Sequence, residues 1–435
     1  VRARFAVLLG SILQLTGCAS DTASTPADPA ALDPIARRYV ILALALGAHD
    51  SSYVDAYYGP GELKTAAERE PLDAVGIRVA ADSLIALLGD SVPAYQDSLV
   101  RLRHSYLRTQ LGSMSARARM VAGEKLSFDQ ESEAIYAAVS PRDTDAHFDS
   151  LLSRLEALLP GPAPLADRYA GFRRRITVPA DRLDSVVRAA IAACRARTFR
   201  YITLPAQERF ELEFVKGMPW GAYHRYRGDY QSLIQVNTDQ PITVPRTLDL
   251  ACHEGYPGHH VYNASLEQAL VAGRGWVEFS VYPLFSPQTL IGDGSANYGI
   301  ELAFPGEQRT RFERDSLFPL AGLDPALADT GTAVVEIIRR LNHARNGVAR
   351  RYLDGEIGRE QAMAQLQRYM LLSPGAAASS IRFIEAYRSG VINYNLGRDL
   401  VAAWVERVGG PTEAGRWRAF AALLASPRLP PDLHE

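Results

Sequence analysis

The 435-residue chain predicts a mainly α-helical fold with one small β-sheet beside its most histidine-rich segment. Apolar residues recur at helical spacing between residues 34 and 200, and Gly/Pro breaks such as "YYGPGE" and "LLPGPAP" separate the runs. Between 201 and 243 the texture changes to short β-branched and aromatic runs divided by turn residues. After Thr243 the helical spacing returns and holds to about residue 408. A hydrophobic share of 47% against 22% charged residues is enough to fill a core at this length. The net charge of −2 gives no electrostatic reason for a nucleic-acid partner or an acidic surface.

The first segment, "VRARFAVLLGSILQLTGCAS", places Arg2 and Arg4 before an apolar run from Phe5 to Leu15. That is the layout of a secretory signal peptide, and the run is too short for a membrane span. Leu15-Thr16-Gly17-Cys18 resembles a bacterial lipobox, which implies a signal over residues 1–18 and lipidation of Cys18. Residues 19–33 are polar and small, so they read as a flexible tether. Residues 34–435 are expected to form one domain, with a helical half to 200 and a catalytic half from 201. The expectation is an exported envelope lipoprotein that meets the membrane only through its lipid anchor. Cys194 and Cys252 are too few for a disulfide framework and are either one bridge or two buried thiols.

Asp33 is the expected N-cap of the first helix, with Pro34 at its first position and Tyr39–Ala48 as a core-facing run. Helical patterns follow at 73–90, 94–111, 129–139 and 147–159. The best strand is "YQSLIQVNTD", residues 230–239. Beyond it come the helix of the histidine motif, one at 286–303, a long one near 331–353 and two more between 358 and 408.

"LDLACHEGYPGHHVYN", residues 248–263, holds three of the nine histidines. His253-Glu254 opens a zinc-hydrolase signature in which two histidines of one helix turn bind the metal and the Glu serves as general base. The second His normally stands four residues on, where this chain has Pro257; His259 and His260 follow at six and seven. On a straight helix the i+6 position faces elsewhere, and i+7 lies about 10.5 Å along the axis. Pro257 cannot donate and clashes with the preceding turn, so the helix must kink or bulge. Absorbing two residues brings His259 to the usual ligand position, and absorbing three brings His260 there. His259 is favoured, with His260 behind the ligands or facing substrate. A break costing about 3 kcal/mol or more has little reason to exist in a purely structural helix.

"HEGYPGHH" resembles the HExxPGHH signature of a bacterial family catalogued as domain of unknown function 885, grouped with gluzincin-type zinc peptidases. The likeness extends to "HDSSYVDAYYGPGE" and "SPQTLIGDGSANYGIELAFP", and so over essentially the whole chain after the tether. It implies a zincin-like metallopeptidase fold, a Zn2+ cofactor and cleavage of short peptides with Glu254 as base. The family's EGWALY-type segment, whose Glu is the third ligand, is matched here by Asp293 to Tyr298. Asp293 is one methylene shorter, so its helix must approach more closely. Glu301, two turns along, and Glu278, at a spacing from His259 familiar in some gluzincins, remain alternative ligands. At the family's PGQALSY-type tyrosine this chain has Ser380. Tyr387, seven residues on and on the same face, is then the candidate oxyanion donor, with Arg388 and Tyr394 nearby.

Three weaker candidates come from position alone. His224 can meet substrate from the sheet, Asn237 from an edge strand that pairs with an extended peptide, and Asp249 can orient His253. Two rival functions stay open: a zinc hydrolase of non-peptide amides or esters, and a non-catalytic binding lipoprotein that keeps the fold.

Overall fold

The computed structural model describes residues 27–434 except Pro219. The signal segment and Cys18 lie outside the described residues. The expected tether ends earlier than residue 33: a 3-10 turn already forms at Pro29–Ala31, capped by Asp28, which accepts from the Ala30 amide at 2.9 Å. The first α-helix, Leu32–His49, follows directly, so Asp33 stands in its first turn and not at the cap. Its carboxylate instead meets Arg103 at 2.7 Å.

This helix buries Ala36, Tyr39, Val40, Ala43 and Leu46, a stripe of helical period. The stripe packs against helices Ala74–Leu88 and Ser98–Val121. One contiguous hydrophobic core runs from Leu32 through the motif to Leu433 and draws on both halves of the described chain. No helix among the described residues is long and apolar enough to cross a membrane.

The fold is mainly helical, as expected, but two small sheets form where one was predicted. Strands β1 (Val54–Tyr57), β2 (Arg209–Val215), β3 (Ala222–Gly228), β4 (Gln231–Asn237) and β5 (Val281–Pro283) divide into β1-β5 and β2-β4-β3. Strand β4 is central, parallel to β2 and antiparallel to β3. Its Ile234 and Val236 pack with Ile242 and Leu250, which seats the larger sheet on the motif helix. The β1-β5 pair escaped the sequence pattern because runs of four and three residues are too short to display a period of two.

The C-terminal helices are also more divided than periodicity suggested. The expected 331–353 helix is two, Ala328–Leu341 and Ala344–Leu353. Asn342 and His343 keep near-helical angles at the break, so the periodicity runs across it. The region from 358 to 408 holds three helices, Arg359–Met370, Pro374–Tyr387 and Leu396–Gly409. Leu371 and Arg388 adopt φ of 52° and 48°, which takes the chain out of the helical region after the first two.

Candidate metal centre

The motif helix begins as an α-helix at Val244–Leu250 and widens to π geometry at Ala251–Gly255. The Tyr256 amide reaches five residues back to the Ala251 carbonyl at 3.2 Å. The Gly258 amide reaches six back to that of Cys252 at 2.9 Å, and Tyr262 returns to four. Two residues are thereby absorbed around Pro257, whose missing N–H breaks no bond in this stretch. The Tyr256–Pro257 peptide is cis. Gly258 makes the passage possible, because a Cβ there would lie 1.9 Å from the His253 carbonyl oxygen and 2.4 Å from that of Cys252. His259 emerges facing His253, with ring centroids 4.7 Å apart.

His260 points the other way. Fully buried, it has Nδ1 2.8 Å from Ser232 Oγ and Nε2 2.9 Å from Glu208, so both ring nitrogens are engaged. Glu208 also accepts from Tyr256 at 2.8 Å and from Arg195 at 2.6 Å. Ser232 in turn meets His224 Nε2 at 2.8 Å, and the His224 ring lies over His259 with centroids 5.7 Å apart. His224 therefore backs the cluster as part of a buried chain.

Asp293 comes from the almost wholly buried helix Pro287–Ala303. This helix packs closely on the motif at Gly299, where a Cβ would fall 2.9 Å from Pro257 Cγ. Asp293 Oδ1 lies 3.3 Å from His259 Nε2 and 3.8 Å from His253 Nε2, and the three ligand atoms all fall within 4.8 Å of one another. This triad can hold a divalent cation. Neither alternative carboxylate joins it. Glu278 is fully buried against Arg103, taking Nε at 2.6 Å and a terminal nitrogen at 3.1 Å. Glu301 is held by Arg398, at 2.8 Å from its Nε, and by Arg339.

Asn297 was missed in the sequence although it stands four residues after Asp293 and so on the same helical face. Its Oδ1 lies 3.1 Å from His253 Nδ1 and its Nδ2 donates to the Tyr394 carbonyl at 2.8 Å. That leaves His253 Nε2 directed at the cluster. Asp249 does not do this work; it pairs with Arg309 at 2.9 Å, which also holds Glu313 at 2.8 Å.

Burial, with the charges of His259 and Arg246, keeps the His253 imidazole well below its usual pKa, and its bond to Asn297 only partly offsets this. For His259 burial acts in the same sense, but bonded Asp293, with Glu254 and Asp55, outweighs it and raises the pKa. Burial raises Glu254 against the pull of His259 and Arg246. His253 is thereby held as a neutral imidazole, while the carboxylates of Asp293, Glu254 and Asp55 draw positive charge to His259, an arrangement that favours a cation.

The cluster opens onto a cavity of about 1470 Å³ whose wall includes Glu254, Tyr387 and Tyr394. Tyr387 packs on Phe383 at 4.5 Å between ring centroids. Ser380 also lines the cavity, with its Oγ unbonded. Arg388 is drawn away, donating from Nε to Glu131 at 2.6 Å. Asp55 of β1 enters the wall unforeseen and accepts from Tyr223 at 2.7 Å. The peptide-pairing expectation for "SLIQVNTD" fails because β4 is a central strand with both edges taken; β2 and β3 are the edge strands, and β3 lines the cavity. Asn237 donates to the Met218 and Trp220 carbonyls, both at 2.9 Å, and so secures the loop before β3. Cys194 and Cys252 are two buried free thiols.

No family model matches the chain, and no curated protein matches it. Among solved structures, the fold is similar to that of a candidate lipoprotein from Colwellia psychrerythraea, with a TM-score of 0.53 at 15% identity over 94% of this chain and 75% of that one. A candidate lipoprotein of unknown function from Shewanella oneidensis scores 0.46 at 13% identity, covering 83% and 75%. An M32 carboxypeptidase from Deinococcus radiodurans R1 scores 0.42 at 12% identity, covering 91% and 90%. At such identities the likeness concerns the fold alone.

Proposed function

We propose that the protein is a zinc-dependent peptidase of the bacterial cell envelope, of the HExxPGHH type, acting on short peptides. The convergence of His253, His259 and Asp293 carries this conclusion. Two donors bound at roughly 2.1 Å to a tetrahedral ion stand about 3.4 Å apart. The separations from Asp293, 3.3 and 3.8 Å, fit that geometry. Two imidazoles and one carboxylate are also the donor set of catalytic zinc sites that keep a fourth position open.

Zinc held there would supply the Lewis acidity that polarises a scissile carbonyl and makes water a nucleophile near neutral pH. Glu254 takes the proton of the attacking water and returns it to the leaving amine, a role suited by its burial-raised pKa. Tyr394, whose hydroxyl lies in the field of both Asp293 and Glu254, and Tyr387, in that of Asp55 and Asp293, are the phenols that donate to the developing oxyanion. Asn297 keeps His253 in its ligating orientation. A walled cavity admits a short peptide more readily than a folded chain. Envelope location and a lipid anchor at Cys18 rest on the signal-like N-terminus, in keeping with the candidate lipoprotein of similar fold.

Substituting Glu254→Gln tests the mechanism. Metal content should stay at the wild-type level while kcat on a short peptide falls about 10²–10⁴-fold. Unchanged turnover would remove Glu254 from the chemistry. Metal-loaded wild type that cleaves no peptide would leave a hydrolase of other amides or esters, or a binding protein.

A further inference from the structure

Arg345 lies on the helix Ala344–Leu353, and its side chain lines the same cavity as Glu254 and Asp293. Among the described residues no carboxylate and no hydrogen bond holds it, and its Nε is closed off from solvent without a partner. The Phe383 ring has its centroid 5.9 Å from the guanidinium carbon. Other arginines of the interior are treated differently. Arg103 is shared between Glu278 and Asp33, Arg309 between Asp249 and Glu313, and Arg350 between Asp129 and Ser140.

A guanidinium does not shed its proton in a protein, and a charge partly withdrawn from water, as on half-buried Arg345, is unfavourable without a counter-ion. At those three the fold answers that cost with acidic side chains, and half-buried Arg197 and Arg351 are held by carbonyl and amide oxygens. At Arg345 it leaves open cavity. The planar fork matches a carboxylate in bidentate fashion, which an ammonium or a lone hydroxyl does not. Tyr394 links this place to the chemistry, since its hydroxyl feels Arg345 as well as Glu254 and Asp293. Arg246 also borders the cavity without an ion pair, but it is exposed, and water already satisfies it.

Resting on the peptidase function above, we propose that Arg345 binds the terminal α-carboxylate of the substrate, so that peptides are taken by their C-terminal end. The anion completes a charge that the fold has left unpaired, and its capture orients the chain toward Glu254. Peptides with an amidated C-terminus lose this contact and are poor substrates whatever their sequence.

The test uses the metal-loaded full protein with matched N-acylated short peptides, one a free acid and the other a C-terminal amide. The wild type should prefer the acid by about 100-fold or more in kcat/KM, the scale of losing a buried charge-assisted pair. Arg345→Gln should bring that ratio to within about 5-fold through loss on the acid, Arg345→Lys should keep part of it, and Arg246→Gln should leave it high. Metal content of each variant shows that the site itself is intact. Wild-type inhibition by N-acyl amino acids but not by their amides gives the same answer without any variant. Equal cleavage of acid and amide by the wild type, or an equal fall on both in Arg345→Gln, overturns the proposal while leaving the peptidase function standing. No cleavage of either peptide sinks both.

Discussion

His253 offers Nε2 to the cluster because Asn297 occupies Nδ1, and Asn297 is itself oriented by the Tyr394 carbonyl. Replacing Asn297 with Ala should therefore weaken metal binding about 10–100-fold, as loss of a ligand's supporting hydrogen bond does. Competition with a chromophoric chelator measures it, and unchanged affinity would mean that ring packing alone orients His253. His260 shows the limit of reading a residue from its neighbours in sequence. It sits beside a member of the cluster in the same motif, yet Glu208, some fifty positions earlier, takes its Nε2. Glu278 looked like a ligand by spacing, but Arg103, from a helix far upstream, neutralises it in the core. Candidate ligands were legible as residue types; the partners that accept or disqualify them were not, because those partners are set by tertiary contacts. Asn297 was within reach of a spacing argument from Asp293.

At the scale of elements, the motif helix and the helix Pro287–Ala303 build the centre by two close approaches. The first is internal: widening hydrogen bonds bring Gly258 onto the Cys252 and His253 carbonyls. The need for a bulge was legible, because Pro257 blocks a straight helix, with two absorbed residues favoured over three but not required. The π geometry that supplies it was not, since nothing in the residue types distinguishes it from an α-turn. Gly258→Ala would force a methyl group into backbone oxygen that cannot move aside, so it should destabilise the protein by about 3 kcal/mol or more. Chemical denaturation followed by circular dichroism reads this. Near-wild-type stability would show that the turn has more room than its geometry implies. The second approach, Gly299 on Pro257, draws the helix of Asp293 onto the motif helix.

Across the whole molecule, one large core joins the helical first half to the motif half, so the site draws on both. The helical class was visible from periodicity, and the larger sheet from its β-branched texture. The pairing of β1 with β5 joins segments more than two hundred residues apart, and no local pattern announces it. It is also what carries Asp55 into the cavity wall. We infer that His253, His259 and Asp293, and not their sequence neighbours, hold one zinc ion. Elemental analysis of purified wild type beside His259→Ala, His260→Ala, Asp293→Ala and Glu278→Ala tests it most directly. About one equivalent of zinc is expected in the wild type and in whichever of His260→Ala and Glu278→Ala folds, with loss in His259→Ala and Asp293→Ala. Absence of zinc from the wild type, or its retention by the His259→Ala and Asp293→Ala proteins, would contradict the account.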